Sequence, residues 1–209
     1  MNRVSLGGFY TLTEWITRFA YVNLLWIGFS LVGVVIFGFF PSTVAMFTII
    51  RKWIMGQTQI PVFKTFWQAY KQEFLRSNGM GLLIALIGAL IVIDLLYMKH
   101  TDSFLTITHI PIYLFIFAIT LTFLYVLPVY VHYDVRFIQI FKNAFLIMLI
   151  NPISNILMII GIIGTFAVMK FLPGLFFFFG GSVTAAIMMS GCYFAFKKVD
   201  RKKEIIEAN

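Results

Sequence analysis

NLLWIGFSLVGVVIFGFFPSTVAMFTIIRKW, residues 23–53, decides the fold of this chain. It carries no charge until Arg51 and Lys52. An apolar run of about 20 residues is long enough to cross a bilayer as a helix. Within the run, Pro41 cannot donate a backbone hydrogen bond and disfavours helix at Phe40. Proline also suits the first position of a new helix, and Ser42 and Thr43 follow it. The stretch therefore predicts a span over Ala20–Phe40, a break at Gly38–Pro41, and a shorter returning helix to Met55. Together these make a hydrophobic hairpin over residues 20–55, and one long kinked helix is the alternative.

Working outward, composition sets the class. Apolar residues are 61% of the chain and charged residues 11%. A soluble domain carries about 25% charged residues, so lipid must cover part of this surface. The formal charge is +8, but the basic residues fall between apolar runs, where they set topology rather than form a nucleic-acid face. With a single cysteine, Cys192, no disulfide framework and no cysteine-based metal site is expected. The N-terminal region has no cleavage-site pattern, so no cleavable signal peptide is expected.

Residues 1–19 place Leu6, Phe9, Tyr10, Leu12, Trp15, Ile16 and Phe19 at helical spacing, which predicts an interfacial lead-in helix. After a polar turn at Gly56–Gln59, residues 61–78 read as an amphipathic cytoplasmic surface helix, with Phe63, Phe66, Trp67, Tyr70, Phe74 and Leu75 on one face. Further spans are expected at Met80–Met98, His109–Val131, Ala144–Val168 and Leu175–Phe196, with a polar loop at Lys99–Thr108 and a tight turn at Lys170–Gly174. A charged cytoplasmic tail occupies residues 197–209. The fold class is all-α: a polytopic helical membrane bundle of five full spans plus the short returning helix, six segments, with amphipathic surface helices. If the hairpin is real, both termini lie inside, and of the 16 basic residues only Lys99 and Lys170 lie outside. That arrangement fits better than a five-span one, which would put Arg3 and Arg18 outside as well.

The residues able to carry chemistry are few. Asp94 is the only acid within a span; it suggests function or a partner, and more plainly a carboxylate reaching water or pairing with Lys99 or Lys170. Asn151 and Asn155, beside Pro152 and Ser154, would line a substrate path or bond carbonyls freed by the proline. Gly181 and Ala185, four apart, allow close helix approach to an internal neighbour or to a second copy. His100, His109 and His132 fall in different connections and cannot form one metal site. No zinc, P-loop, dinucleotide or serine-nucleophile motif occurs, so neither cofactor nor catalysis is expected.

N-L-L-W at Asn23–Trp26, G-x-x-P-x-T-x-A-x-F from Gly38 to Phe47, Arg51–Lys52, Gly56, and F-x-x-x-Y-K-x-E-F from Phe66 to Phe74 resemble the YesL family; K-N-A-F at Lys142–Phe145 is a further match. Where the family often has P-A-T, this chain has P-S-T at Pro41–Thr43. The resemblance implies a small bacterial membrane protein whose gene stands beside carbohydrate ABC importers and enzymes of plant-polysaccharide breakdown. It transfers no catalytic residue. The expected function is a non-enzymatic accessory subunit in the cytoplasmic membrane, binding importer permease subunits. Candidate partner-binding or gating residues are Asn23, Trp26, Gly38, Pro41, Thr43, Arg51, Lys52, Phe66, Trp67, Tyr70 and Phe74. A self-contained transporter or channel is the second reading, and a membrane sensor or assembly factor the third. Lipid and a second copy of the chain are the other expected partners, and nucleic acid is not.

Overall fold

A computed structural model describes the backbone of residues 3–99 and 106–207, and the side chains of 10–98 and 110–198. His100 and most of the polar loop at Lys99–Thr108 lie outside the described residues. Those described contain eight helices: α1 (Arg3–Val32), α2 (Ile36–Ile54), α3 (Val62–Gln72), α4 (Phe74–Lys99), α5 (Thr106–His132), α6 (Phe137–Ile150), α7 (Pro152–Phe171) and α8 (Pro173–Glu207). Five of them hold stretches long and apolar enough to cross a membrane: Tyr10–Val32, Phe74–Met98, Ile110–His132, Pro152–Phe171 and Pro173–Lys198. The returning helix α2 is the sixth segment and the centre of the bundle. It buries Pro41–Phe47, Ile49, Ile50 and Trp53, and α1, α3, α4, α5 and α8 all pack on it.

The hairpin turns earlier than the sequence predicts. Lead-in helix and first span are one helix, α1, and the chain reverses at Gly33–Val35. Val34 and Val35 both have positive φ, 57° and 61°, a costly conformation for β-branched residues. Close approach holds the turn: Val35 N–H donates to the Ser30 carbonyl at 2.8 Å, and a Cβ on Gly33 would overlap Gly38 Cα. Pro41 lies inside α2 and does not break it. Its missing N–H frees the Phe37 carbonyl four residues back. Asn78 Nδ2 supplies the lost donor, at 3.0 Å from Phe37 O.

Other boundaries move for similar reasons. Residues 61–78 divide at Glu73, so Phe74–Asn78 begin α4. The span expected over Ala144–Val168 is broken at Asn151, leaving α6 as a separate short apolar helix. Only Leu172 separates α7 from α8, and α8 runs unbroken into the charged tail as far as Glu207. Part of the face expected at 61–78 packs on the hairpin, while Phe63, Trp67 and Leu75 stay exposed. The α3 residues Thr65, Phe66, Ala69 and Tyr70 are buried, and Phe29 of α1 sits among Phe63, Phe66, Trp67 and Tyr70 at centroid distances of 5.2–6.2 Å. Burial there pushes the Tyr70 phenol above its ordinary pKa.

Contacts gather the basic helix ends at one end of the bundle. Arg18 Nη1 donates to Thr58 O at 2.7 Å, Arg51 reaches His132, Arg76 reaches Val135, and His132 stacks on Phe196 beside Lys197. The outer halves of α4 and α5 form an arm. Beyond Ile84, Met98 is the one buried residue of α4 as far as its side chains are described. Burial in α5 begins only at Leu121 among described side chains. The helices approach each other around Asp94, Met98, Pro111 and Phe115.

Candidate functional site

Two groups of polar side chains stand out where helices meet. The first locks the hairpin to α8. Asn23 is fully buried. Its Nδ2 donates to the Phe177 carbonyl at 2.6 Å, and its Oδ1 accepts the N–H groups of Gly181 (3.0 Å) and Ser182 (2.9 Å). Phe177 and Gly181 are the two ends of one helical turn, so the amide enters the backbone ladder of α8. Gly181 is needed for this approach, since a Cβ there would stand 3.0 Å from Asn23 Oδ1 and 3.1 Å from the Trp26 ring. Trp26 Nε1 in turn donates to Thr43 Oγ1 at 3.0 Å, and Thr43 Oγ1 donates to Phe39 O at 2.6 Å. An apolar cavity of about 450 Å³ opens beside the lock, between Trp26, Phe39, Thr43, Phe166, Phe177 and Thr184.

The second group lines a polar chamber of about 440 Å³ at the basic end, between α2, α3, the start of α4 and the end of α5. Thr48, Arg51, Gln72, Glu73, Arg76, Tyr130, His132 and Asp134 face it. The Tyr130 hydroxyl donates to Glu73 Oε2. Arg76 Nη2 donates to Val135 O at 2.7 Å, its guanidinium lies 5.3 Å from the centre of the Tyr130 ring, and Nη1 is 3.8 Å from Asp134. Arg51 Nε donates to His132 Nδ1 at 3.3 Å. In that bond Nδ1 is the acceptor.

The remaining sequence-predicted residues separate. Asn151 and Asn155 bond backbone and a neighbouring helix. Asn151 Nδ2 donates to Ile147 O (2.9 Å) and Asn155 Nδ2 to Met148 O (3.0 Å), the carbonyl that Pro152 leaves free. Tyr125 donates its hydroxyl to Asn155 Oδ1 at 2.6 Å. Asp94 is exposed, near the tip of the arm and far along α4 from both groups. It makes no ion pair with Lys170, and the Lys99 side chain lies outside those described. Gly181 faces Asn23 and Trp26 of α1 in the same chain, and Ala185 is buried. Of the residues expected to meet a partner, Asn23, Gly38, Pro41, Thr43, Phe66 and Tyr70 are buried. Trp67 is 38% exposed, and Phe74, Arg51 and Lys52 are partly buried.

Sequence reading missed Asn78, Tyr125, Glu73, Arg76, Tyr130 and His132 as members of these groups. Pro41 and Pro152 were the available signal for the asparagines, since each proline frees a carbonyl that some donor must meet. The chamber had no such signal, because its residues come from four separate segments. Among the described residues no three His, Cys, Asp or Glu side chains gather in a way that could hold a metal ion.

Residues 19–95, which hold the hairpin, α3 and most of α4, match the family described as "Protein of unknown function, DUF624". The chain is 39% identical to "Uncharacterized protein YteU" of Bacillus subtilis (strain 168) over 94% of its length and 89% of that protein's. The chain belongs to the DUF624 family. It is also 34% identical to "Uncharacterized protein YesL" of the same organism, over 91% of this chain and 90% of that protein. With "Uncharacterized protein YesV" the identity is 32%, over 96% and 97%. The YesL-like resemblance is thereby shown, and it runs the length of the chain. No solved structure matches it. The family match covers the hairpin lock and the α2, α3 and α4 walls of the chamber, while the α5 wall and the α8 partner of Asn23 lie beyond it.

Proposed function

We propose that this chain is a non-enzymatic membrane subunit that binds the permease subunits of a bacterial carbohydrate importer of the ABC type. The observation that carries the docking part is the arm. Leu82, Leu86, Leu90 and Ile93 on α4, and Ile110, Leu114 and Phe115 on α5, are each more than half exposed. These helices cross far enough to be covered, yet little of this chain covers them. The lock and the Asn151–Asn155 pair spend their polar atoms inside the fold, which suits a scaffold better than a conduit. The importer class rests on the resemblance to YesL-like proteins. The bundle lies in the bacterial cytoplasmic membrane, with the basic end and both termini inside, by the bias of lysine and arginine.

The test is extraction of the tagged protein in gentle detergent from its host's membranes, grown on complex plant polysaccharide, with mass spectrometry of what accompanies it. Stoichiometric importer permease supports the reading; importer recovered without this chain defeats it. The polar chamber favours one rival, a self-contained transporter. Purified protein in liposomes that moves neither sugar nor ion argues against that rival.

A further inference from the structure

The chamber at the basic end contains a cation that has no carboxylate partner among the described residues. Glu73 accepts the Tyr130 hydroxyl, and Arg76 is committed to Val135 O and the Tyr130 ring. Asp134, 3.8 Å from Arg76, has a fully exposed side chain and is screened by water. Arg51 differs. Its Nε is held by His132, and among the described residues no carboxylate comes within ion-pair distance of it. Its terminal nitrogens have no protein acceptor there, although the residue is partly buried and lines the chamber. A partly buried guanidinium with its edge toward a polar cavity is a ready fork for two oxygens.

Size and the free fork narrow the occupant. Arg76 has Asp134 3.8 Å away, whereas Arg51 is the lining cation with no carboxylate within ion-pair distance among the described residues. The volume, about 440 Å³, is within the range of small-molecule sites and larger than a bare ion requires. Gln72 and Thr48 line the same space and offer polar atoms to the rest of the molecule.

We infer that the chamber binds an oxyanion group, a phosphodiester or a carboxylate, on a polar molecule, with Arg51 as its bidentate donor. The group comes from a lipid headgroup at the basic end of the bundle or from a soluble compound on that side. The inference uses the chamber alone and does not depend on the importer reading.

The full-length protein, purified in an uncharged maltoside, is titrated with dihexanoylphosphatidylglycerol and separately with sodium gluconate. Dihexanoylphosphatidylcholine and sodium chloride serve as matched controls, and melting is followed by tryptophan fluorescence. A saturable rise in Tm of about 5 °C or more is expected at a hundredfold excess over Kd. Arg51→Gln removes a charge-assisted bond and weakens binding about tenfold or more, while Lys71→Gln on exposed α3 surface leaves it unchanged. Should Arg51→Gln fail to fold, Arg51→Lys keeps the charge without the fork and is also expected to weaken binding. A response to the phosphatidylglycerol alone assigns a headgroup, and a response to gluconate alone a soluble compound. No saturable rise with either probe, or a rise that survives in the folded Arg51 variants, overturns the inference.

Discussion

Replacing Asn23 with leucine removes its amide while keeping four side-chain heavy atoms and the branch at Cγ. Three bonds are lost, to Phe177 O, Gly181 N–H and Ser182 N–H. Phe177 O and Gly181 N–H are four residues apart and recover part of the loss by bonding each other. Ser182 N–H has the same recourse in the Phe178 carbonyl, four residues back in α8. Bonds between membrane helices average about 0.6 kcal/mol and reach about 1.7. Three such bonds amount to about 2 kcal/mol, which is the expected loss. At about 2–4 °C per kcal/mol for a chain of this size, Tm falls by about 4–8 °C. The assay is thermal and SDS unfolding in mixed micelles, followed by tryptophan emission. Trp26 lies against Gly181 and reports the same contact. Asn23→Asp adds a sign test. An ionised carboxylate accepts the two N–H groups but faces Phe177 O without a proton, whereas the protonated form regains a donor. Relative to wild type, this variant should gain stability as pH falls. A leucine variant within about 0.5 kcal/mol of wild type would refute the lock.

Four further outcomes follow from the same geometry. Alanine at position 41 restores an N–H to Phe37 O, so Asn78→Ala should cost less in a Pro41→Ala background; a double-mutant cycle should give a coupling of about 0.5–1 kcal/mol. Gly33→Ala drives a Cβ into Gly38 and should destabilise by about 1–3 kcal/mol, read by the same unfolding assay. Gly28→Ala, with nothing within 4 Å, should be neutral or stabilise by up to about 1 kcal/mol. Asn155→Leu strands the Tyr125 hydroxyl and leaves the Met148 carbonyl with the Asn151 N–H at 3.4 Å, and a loss of about 1–3 kcal/mol is expected in SDS titration.

The fold class was legible because bilayer thickness imposes it: any chain with this many apolar runs of about 20 residues must form helices. The boundaries were not: Pro41 was read as a break, while Pro152 was read as lying within one span. A proline costs a helix mainly through the carbonyl it orphans, and that cost vanishes when a distant donor meets it. Asn78 does so for Pro41, from a different helix, so local reading placed the turn too late, at Gly38–Pro41 rather than Gly33–Val35. At Pro152 the donor is Asn155, yet the backbone still breaks at Asn151, where φ is −128°. The aromatic face of α3 was legible as a face, but not that Phe66 and Tyr70 would be buried against Phe29 while Phe63 and Trp67 stay exposed. The same pattern serves a headgroup layer or a neighbouring helix. The motif residues Asn23, Trp26, Gly38 and Thr43 were visible in the sequence. Their partner Gly181 was singled out too, but nothing local links residue 23 to residue 181.

The account turns on the bare arm of α4 and α5 as a docking surface for importer permease. The most direct test places a photo-crosslinking amino acid at Leu86 or Leu90, both more than half exposed on α4, and at Leu157 or Ile160 on α7 as comparably exposed controls. After irradiation of cells grown on plant polysaccharide, adducts are identified by mass spectrometry. The account expects permease adducts from the α4 positions and not from α7. Permease adducts absent at α4, or equally abundant from α7, would contradict it.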